Sequence, residues 1–314
     1  MRTAGIPARV RTLGYEADDV ISLVLERTDG AALPAWTAGS HIDVELPTGL
    51  TRQYSLCGDP RELGTYRVAV LRDAASRGAS EYVHMFLRPG QQIRIGEPRN
   101  HFPLVPAERY FFIAGGIGVT PVLPLARQAA EHAPASVLYL GRGGTSLAFQ
   151  DELHESAAEV SIHDSRVAGR HDLSTFLSGL DETTAVYVCG SDRLISAVEA
   201  LAEEWPAGVL HTERFKPRPR VSTVAADFDV TWQPSGETFT IPADRSALDV
   251  LEEAGLPVGG SCRQGVCGAC ELVAVSGTPD HLDDVVDDHD RTEGERFFPC
   301  VSRAETPSLT VRAT

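Results

Sequence analysis

The sequence predicts a multidomain chain of mixed β and α/β class: an antiparallel β-barrel, a parallel α/β domain, and a small C-terminal β domain with one helix. Three observations carry this. Residues 1–100 hold short β-type runs separated by Gly, Pro and Asp clusters. Near residue 106 the pattern changes to alternating strand and helix, which implies a parallel sheet. Beyond the basic, proline-stiffened segment Arg214-Phe-Lys-Pro-Arg-Pro-Arg220, strand patterns return. The expected boundaries are 1–105, 106–216, a linker at 217–222, and 223–314, an ordinary division for 314 residues.

In the first region the β-type runs are Val10 to Leu25, His41 to Leu46, Thr51 to Cys57, Thr65 to Leu71 and Gln92 to Ile95. Their spacing suits a small antiparallel barrel. Within it lies Arg52-Gln53-Tyr54-Ser55. In an extended strand Arg52 and Tyr54 share one face, and Gln53 and Ser55 the other. An Arg beside an aromatic and a hydroxyl suits a phosphate and a flat ring together, although an ordinary strand also carries such residues. Ser76-Arg77-Gly78-Ala79-Ser80 then leads into the helical pattern Glu81 to Leu87. Ser80 is an N-cap by type. Free amides at a helix start, with Arg77 adjacent, make a phosphate site; simple capping is the plainer alternative.

The second region opens on the buried-type strand Arg109 to Ala114, which runs into Gly115-Gly116-Ile117-Gly118-Val119-Thr120-Pro121. Thr120 is expected as N-cap and Pro121 as first helical residue. Val122, Leu123, Leu125, Ala126 and Ala129 form the apolar stripe of the helix. Strand, glycine turn, helix is the context of nucleotide binding, but the run is not the G-x-G-x-x-G fingerprint. Further strands are expected at 136–140, 159–163, 185–189 and 209–211, with a helix at 192–204. Ligands of parallel sheets bind beyond the carboxyl ends of the strands. Gly115 to Thr120, Gly141-Arg142 and Cys189-Gly190-Ser191 all belong there. Each glycine pair taken singly also reads as a tight turn.

In the third region 226–232 and 237–241 alternate as strands around the turn Pro234-Ser235-Gly236. Ser246 caps a short helix, with Asp249 three residues on and Gly255 at its end. Ala247, Leu248, Val250, Leu251 and Ala254 are its apolar stripe. Strands are expected again at 271–275 and 308–311. The acidic stretch Asp280 to Asp290, with His281 and His289, is expected to be a solvated helix rather than a metal site.

The loop carried by this domain is Ser261-Cys262-Arg-Gln-Gly-Val-Cys267-Gly-Ala-Cys270, completed by Cys300: C-x4-C-x2-C, twenty-nine residues, then C. Thiolates Cys262, Cys267, Cys270 and Cys300 at this plant-type ferredoxin spacing hold a [2Fe–2S] cluster. Soft thiolates also take zinc or copper(I), but zinc motifs usually pair two short C-x2-C knuckles. Gly265 and Gly268 suit a loop whose amides approach the cluster closely. The remaining two cysteines, Cys57 and Cys189, stand alone on apolar stretches, and Cys57 reads as a small buried residue.

Composition bounds the function further. Apolar content of 42% with 23% charged residues is ordinary for a soluble globular chain. No apolar run reaches the ~18 residues of a membrane span, and the N-terminus lacks an apolar signal segment, so the expectation is a cytoplasmic protein off the membrane. Net charge is −16, and residues 223–314 hold 17 acids against 6 arginines, a net of −11. Nucleic acid is therefore excluded as an expected partner. The acidic region can steer a basic protein surface, or serve only solubility.

Taken together, the motifs and their order resemble the phthalate dioxygenase reductase family, which includes the reductase components of vanillate demethylase and related Rieske oxygenases. The resemblance runs from about residue 5 to the end. It implies a ferredoxin-reductase-like antiparallel β-barrel flavin domain, a nucleotide-binding domain and a C-terminal β-grasp plant-type ferredoxin. It implies flavin contacts by Arg52, Tyr54 and Ser55, by Ala69, Val70 and Leu71, and by the phosphate loop at Arg77, Gly78, Ala79 and Ser80. The family's usual Gly-Gly-Ser reads Gly-Ala-Ser here. FMN is the flavin implied, with FAD left open. Gly115, Gly116, Gly118, Thr120 and Pro121 match the nicotinamide-nucleotide motif, and Cys189 and Gly190 the pair beside the nicotinamide. Phe215 corresponds to a residue near the flavin, Thr120 and Ser55 to flavin hydrogen-bond partners, and Arg142 to a contact with the adenosine ribose or its phosphate. NADH is favoured, with NADPH open. The implied function is passage of electrons from NADH through FMN and [2Fe–2S] to a terminal oxygenase docked on the acidic domain, by a monomer, with no residue acting as acid or base.

Two other readings use the same residues. The cassette can serve a cytochrome P450 instead of a Rieske oxygenase; only the docking surface differs. A non-enzymatic redox sensor or electron store would carry the cluster without needing a complete hydride-accepting site, which this chain has.

Overall fold

The computed structural model describes residues 5–73, 78–157, 159–178, 180–218, 226–286 and 295–314. The chain divides into two compact units, Gly5–Arg214 and the unit that begins at Phe215 and runs to Thr314.

The first unit opens with β1 (Ile6–Ala17), β2 (Val20–Arg27), β3 (Ser40–Glu45), β4 (Thr51–Ser55), β5 (Tyr66–Leu71), α1 (Ala79–Met85), β6 (Gln92–Ile95) and β7 (Arg99–Asn100). The expected run from Val10 to Leu25 is a hairpin, because Asp19 takes a left-handed φ of 59° and turns the chain. The sheet order is β4-β3-β6-β1-β2-β5, all antiparallel, with β7 on β3. A single bridge, Leu56 to Val68, and the bond from Cys57 N to Arg67 O at 2.9 Å tie β4 to β5 and close the barrel. Inward residues Val10, Leu23, Ile42, Val68 and Val70 fill its core, as period-two strands require.

Next come β8 (Arg109–Gly115), α2 (Val119–Ala130), β9 (Ala135–Gly141), α3 (Gln150–Ser156), β10 (Glu159–Asp164), the single turns α4 (Ser165–Ala168) and α5 (Leu173–Phe176), β11 (Thr184–Cys189), α6 (Asp192–Ala202) and β12 (Leu210–Glu213). The sheet is parallel, in the order β10-β9-β8-β11-β12. β8 and β11 are buried on both faces, which is why they read as continuous apolar runs. Gly118 rather than Thr120 is the N-cap of α2, and Pro121 is its third residue. A 3-10 turn over Gly116–Gly118 continues directly into the helix and moves its start.

Barrel and parallel sheet share one core: Cys57, Ala69 and Phe102 pack with Phe112, Val119 and Leu123. The Arg67 guanidinium reinforces this from β5, pairing with both Glu152 carboxylate oxygens of α3 at 2.8 and 2.7 Å and lying 5.0 Å over the Phe149 ring. Asp18 of the first hairpin donates its N–H to Thr145 O at 2.8 Å.

The second unit contains β13 (Phe228–Trp232), β14 (Glu237–Ile241), α7 (Ala247–Glu253), β15 (Leu272–Ser276), β16 (Pro279–Asp280), β17 (Arg296–Phe297), β18 (Arg303–Ala304) and β19 (Ser308–Ala313). Its main sheet runs β14-β13-β19-β15-β17, with β13 and β19 parallel and the remaining pairs antiparallel. Ala247, Leu248 and Leu251 of α7 pack onto the sheet beside Val230, Trp232 and Leu309, a β-grasp arrangement. The Ser246 cap is present: its Oγ accepts from Asp249 N at 3.1 Å and donates to Asp249 Oδ2 at 2.6 Å.

The expected solvated helix at 280–290 is not found among its described residues, which form β16 and irregular chain. Asp283 is fully buried. Its carboxylate accepts from Ser302 Oγ (3.0 Å), Val285 N (3.2 Å) and Val286 N (3.0 Å), and His281 Nδ1 lies 2.9 Å away. A buried charge persists only where donors surround it, so this stretch folds inward. His289 lies outside the described residues.

Candidate cofactor sites

The barrel presents its sequence-predicted residues on adjacent strands. On β4, Gln53 faces Asp43 of β3 and donates Nε2 to its Oδ1 at 2.7 Å, and Ser55 faces His41 and is buried. Tyr54, on the opposite face, packs at the margin of the barrel core, and burial pushes its phenol up to about 12. Arg52 shares that face and donates to the carbonyl of Thr51 at 2.7 Å. On β5, Val70 points into the barrel core, so only Ala69 and Leu71 have side chains on the outer face, with Leu71 40% exposed. Ala79 and Ser80 are buried in the first turn of α1.

Ser80 is not the N-cap. Gly78 takes that place with a left-handed φ of 96°, and no side chain caps the helix. The Ser80 hydroxyl accepts from Asp73 N at 3.2 Å instead. By chemistry a guanidinium such as that of Arg52 suits an anionic group, and the desolvated Tyr54 ring suits a flat one. Arg77 lies outside the described residues. Phe215 begins the second unit and is 40% exposed.

Two glycine segments, Gly115–Gly118 and Gly190, meet at the carboxyl ends of β8 and β11, while Gly141 at the end of β9 packs against Leu147 instead. A Cβ on Gly118 would lie 2.2 Å from the Cys189 carbonyl oxygen, and one on Gly190 would lie 3.0 Å from the Gly115 Cα. Any side chain there would force the strands apart. Gly116, at φ 54°, has nothing within 4 Å of its Cβ position, so the turn opens onto free space on that side. Its carbonyl accepts from Tyr139 OH at 3.1 Å, which fixes the turn. β5 runs beside this glycine turn, and its Ala69 packs in the same cluster as Ile117 and Val119. A crevice that only glycines keep open fits a dinucleotide backbone.

Thr120 is buried and donates its hydroxyl to Ile117 O at 2.9 Å, so toward a ligand it can offer only an acceptor lone pair. Arg142 is exposed just beyond β9, and the Arg166 guanidinium lies 3.2 Å from the Cβ position of Gly143 beside it. Glu213, at the carboxyl end of β12, was not among the predicted residues. It pairs in register with Cys189, its Oε2 is buried without a partner, and burial pushes its carboxyl up to about 8. Burial and then the Glu213 charge push the Cys189 thiol well up. The one available signal was an acid inside a strand-type run, which strand register alone turns into a buried group.

In the second unit the cysteine loop turns on left-handed residues: Arg263 (φ 53°), Gly265 (φ 71°) and Gly268 (φ 65°). These conformations turn amides toward sulfur. Gln264 N donates to Cys262 Sγ at 3.3 Å, and Ala269 N to Cys267 Sγ at 3.5 Å. Among the described residues no three His, Cys, Asp or Glu surround one ion position. The thiols instead touch in pairs, Cys262 with Cys267 and Cys270 with Cys300, with a further contact from Cys262 to Cys300. Bonds from Cys267 and Cys300 hold the Cys262 thiol well down, and the bond from Cys300 holds Cys270 down, while the same bonds push Cys267 and Cys300 up. Four thiols this close could all ionise only around positive metal, and paired sulfurs with inward amides fit a two-iron cluster.

The loop is braced from outside. Asp284 N donates to Gly265 O at 2.8 Å, and a Cβ on Gly265 would lie 3.0 Å from the Asp283 Cα. Arg263 pairs with Asp249 and Glu252 of α7. No helix among the described residues is long and apolar enough to cross a membrane.

Comparison with known proteins agrees with this geometry. Residues 230–305 match the "2Fe-2S iron-sulfur cluster binding domain" family, and residues 101–213 match "Dimethylamine monooxygenase subunit DmmA-like, N-terminal domain". Vanillate O-demethylase oxidoreductase of Pseudomonas sp. (strain HR199 / DSM 7063) is 40% identical over 301 residues, 93% of this chain and 95% of that one. The solved phthalate dioxygenase reductase, described as a modular structure for electron transfer from pyridine nucleotides to [2Fe–2S], superposes with a TM-score of 0.71 at 34% identity over 98% of both chains. An intact type IV self-sufficient cytochrome P450 monooxygenase superposes with a TM-score of 0.91 at 39% identity, over 98% of this chain but 41% of that longer one. The chain belongs to the oxygenase-reductase family that includes vanillate O-demethylase oxidoreductase and phthalate dioxygenase reductase.

Proposed function

We propose that this chain is the reductase component of an oxygenase system, taking electrons from NADH and delivering them to a terminal oxygenase of the Rieske type. The carrying observation is that one chain holds both a glycine-lined crevice beside barrel strand β5 and four cysteines linked by thiol contacts. The domain roles follow the expected boundaries: FMN on 1–105, NAD on 106–216, a linker at 217–222 and [2Fe–2S] on 223–314. Bound there, FMN would supply acceptance of a hydride and release of single electrons, and a [2Fe–2S] cluster held by the four cysteines would supply one-electron carriage.

The chain's own residues bind and orient. Gly115, Gly116, Gly118 and Gly190 leave room for the nucleotide, Pro121 sets the first turn of α2, and Cys189 with Gly190 flanks the nicotinamide. Arg142 holds the adenosine ribose or its phosphate, which leaves NADPH open beside NADH. Arg52 and the turn Gly78–Ser80, with Arg77, hold the flavin phosphate. Tyr54, Ser55, Ala69, Leu71 and the backbone of Val70 line the ring, with Thr120 as an acceptor, and Phe215 is assigned to the flavin as well. Cys262, Cys267, Cys270 and Cys300 ligate the cluster. No group is assigned as acid or base.

The acceptor docks on the acidic second unit, and the chain works as a cytoplasmic monomer. The likeness to a self-sufficient P450 monooxygenase supports a second reading, in which the acceptor is a cytochrome P450. The test is Cys300→Ser. Electron transfer to the partner oxygenase is expected to disappear while NADH still bleaches the flavin. Undiminished acceptor reduction would overturn the assignment.

A further inference from the structure

Two arginines flank one turn at the carboxyl ends of neighbouring strands. β9 and β10 are parallel, with Gly141 in register with Asp164. Arg142 follows β9 and is exposed, and Arg166 stands two residues beyond β10. Ser165 donates its Oγ to Gly141 O at 2.8 Å, which ties the two strand ends together. The Arg166 guanidinium lies along Gly143, with Nη1 3.2 Å and Cζ 3.7 Å from the Cβ position there. Among the described residues neither the Arg142 nor the Arg166 guanidinium forms an ion pair. Two carboxylates stand close, and both are engaged. Asp164 Oδ1 accepts from Arg166 N at 2.9 Å. Asp18, at the tip of the β1–β2 hairpin, accepts from Thr145 Oγ1 at 2.5 Å and from Tyr15 OH at 3.0 Å. Those two bonds, with the Arg166 charge behind them, hold the Asp18 carboxyl below its usual value. Unpaired guanidinium groups suit an added anion, and each offers a phosphate two parallel donors.

We propose that Arg142 and Arg166 form a phosphate-monoester site for the 2′-phosphate of a nicotinamide nucleotide, so that this chain takes NADPH as well as NADH. The inference rests on the reading that the glycine crevice holds the dinucleotide, with its nicotinamide beside Cys189 and Gly190. The sheet order β10-β9-β8-β11-β12 places β9 and β10 on the side of that crevice away from β11. The adenosine half extends that way. Neighbouring strands lie about 4.8 Å apart, so β10 ends roughly 10 Å from β8. In nucleotide-binding α/β sheets an acid near a strand end takes the ribose 2′-OH, and a nearby arginine accommodates the 2′-phosphate. Both occur in this turn. Asp164 is the acid, which suits NADH, and the two arginines suit NADPH. Sequence reading singled out Arg142 but not Arg166, because only the pairing of β9 with β10 brings residue 166 back to residue 143.

The experiment uses the full chain with its cofactors bound. Adenosine 2′,5′-bisphosphate and adenosine 5′-monophosphate differ only in the 2′-phosphate. Both are titrated calorimetrically at low salt into the parent, Arg166→Ala, Arg166→Lys and Arg142→Ala, with inorganic phosphate as competitor. NADPH and NADH are then compared as donors by the rate of flavin bleaching. The parent is expected to bind the bisphosphate about a hundredfold more tightly than the monophosphate, roughly tenfold for each arginine. Each alanine variant lowers that ratio about tenfold. Arg166→Lys restores part of it, and added salt weakens it in the parent. The ratio of kcat/KM for NADPH to that for NADH falls in step. The monophosphate bound by each variant is the internal reference for an intact nucleotide site. Equal binding of the two adenosine phosphates by the parent would overturn the proposal, as would a ratio unmoved in Arg166→Ala. Inorganic phosphate displacing the bisphosphate at equal concentration would overturn it too, leaving only a general anion site. If neither nucleotide bleached the flavin, the functional reading would fall instead, and the ratio of the two adenosine phosphates alone would decide the 2′-phosphate site.

Discussion

Glu213 sits beside Cys189 as its register partner across the parallel pair β11–β12, and neither side chain has a charge partner to relieve its burial. A carboxyl raised to about 8 binds its proton more tightly in the folded chain than in the unfolded one. The stability it contributes is therefore full below the ordinary carboxyl range and is lost as pH rises toward about 8. Glu213→Gln is expected to flatten the fall in melting temperature between about pH 5 and 8. Thermal denaturation of the two proteins across that range checks it, and parallel pH curves would contradict it.

Gly118 and Gly116 sit in the same turn but are glycine for different reasons. Gly118→Ala places a methyl 2.2 Å from the Cys189 carbonyl oxygen and must push β11 away. Gly116→Ala meets no atom within 4 Å and suffers only its positive φ, a cost of about 1–2 kcal/mol. Gly118→Ala is expected to cost more stability than Gly116→Ala and to weaken nicotinamide-nucleotide binding more. Chemical denaturation and a nucleotide titration measure both.

Asp283 holds the chain behind the cluster loop. Burial alone would raise its pKa, but the His281, Val286 and Ser302 bonds outweigh it and hold the carboxyl below its usual value. Its contribution is present above the ordinary carboxylate range and is lost as pH falls through the depressed value. Asp283→Ala leaves the Ser302 hydroxyl and the Val285 and Val286 amides without their acceptor, at about 1–3 kcal/mol for each group that stays buried. Earlier thermal loss of the iron–sulfur absorption band is expected, with the flavin band unaffected.

The acidic second unit predicts a salt effect. Asp249 and Glu252 are partly neutralised by Arg263, but the net charge of residues 223–314 stays at −11. Reduction of a basic acceptor is expected to slow steadily as ionic strength rises, because screening removes long-range steering. A rate independent of salt would mean that the acidity serves only solubility.

Much of the architecture was legible because it rests on local pattern. The cysteine spacing, the glycine turn after β8 and the Ser246 cap each need only a few neighbouring residues, and all lie where the sequence puts them. What was missed depends on distant partners. Asp283 reads as a solvated acid until Ser302 and His281 close around it. Glu213 reads as an ordinary strand acid until register sets it against Cys189. The barrel closes through the single Leu56–Val68 bridge, which no periodicity encodes. Ser80 and Thr120 were expected as caps from residue type, yet glycines at 78 and 118 hold those places because backbone geometry outranked side-chain preference.

The most direct measurement of the central claim is an anaerobic NADH titration of the purified protein followed by visible absorption. Bleaching of both a flavin band and a broad iron–sulfur band, with about three electrons taken up per chain, is the predicted result. Bleaching of the flavin alone, or zinc in place of iron, would contradict the two-centre account and leave the four cysteines with another role.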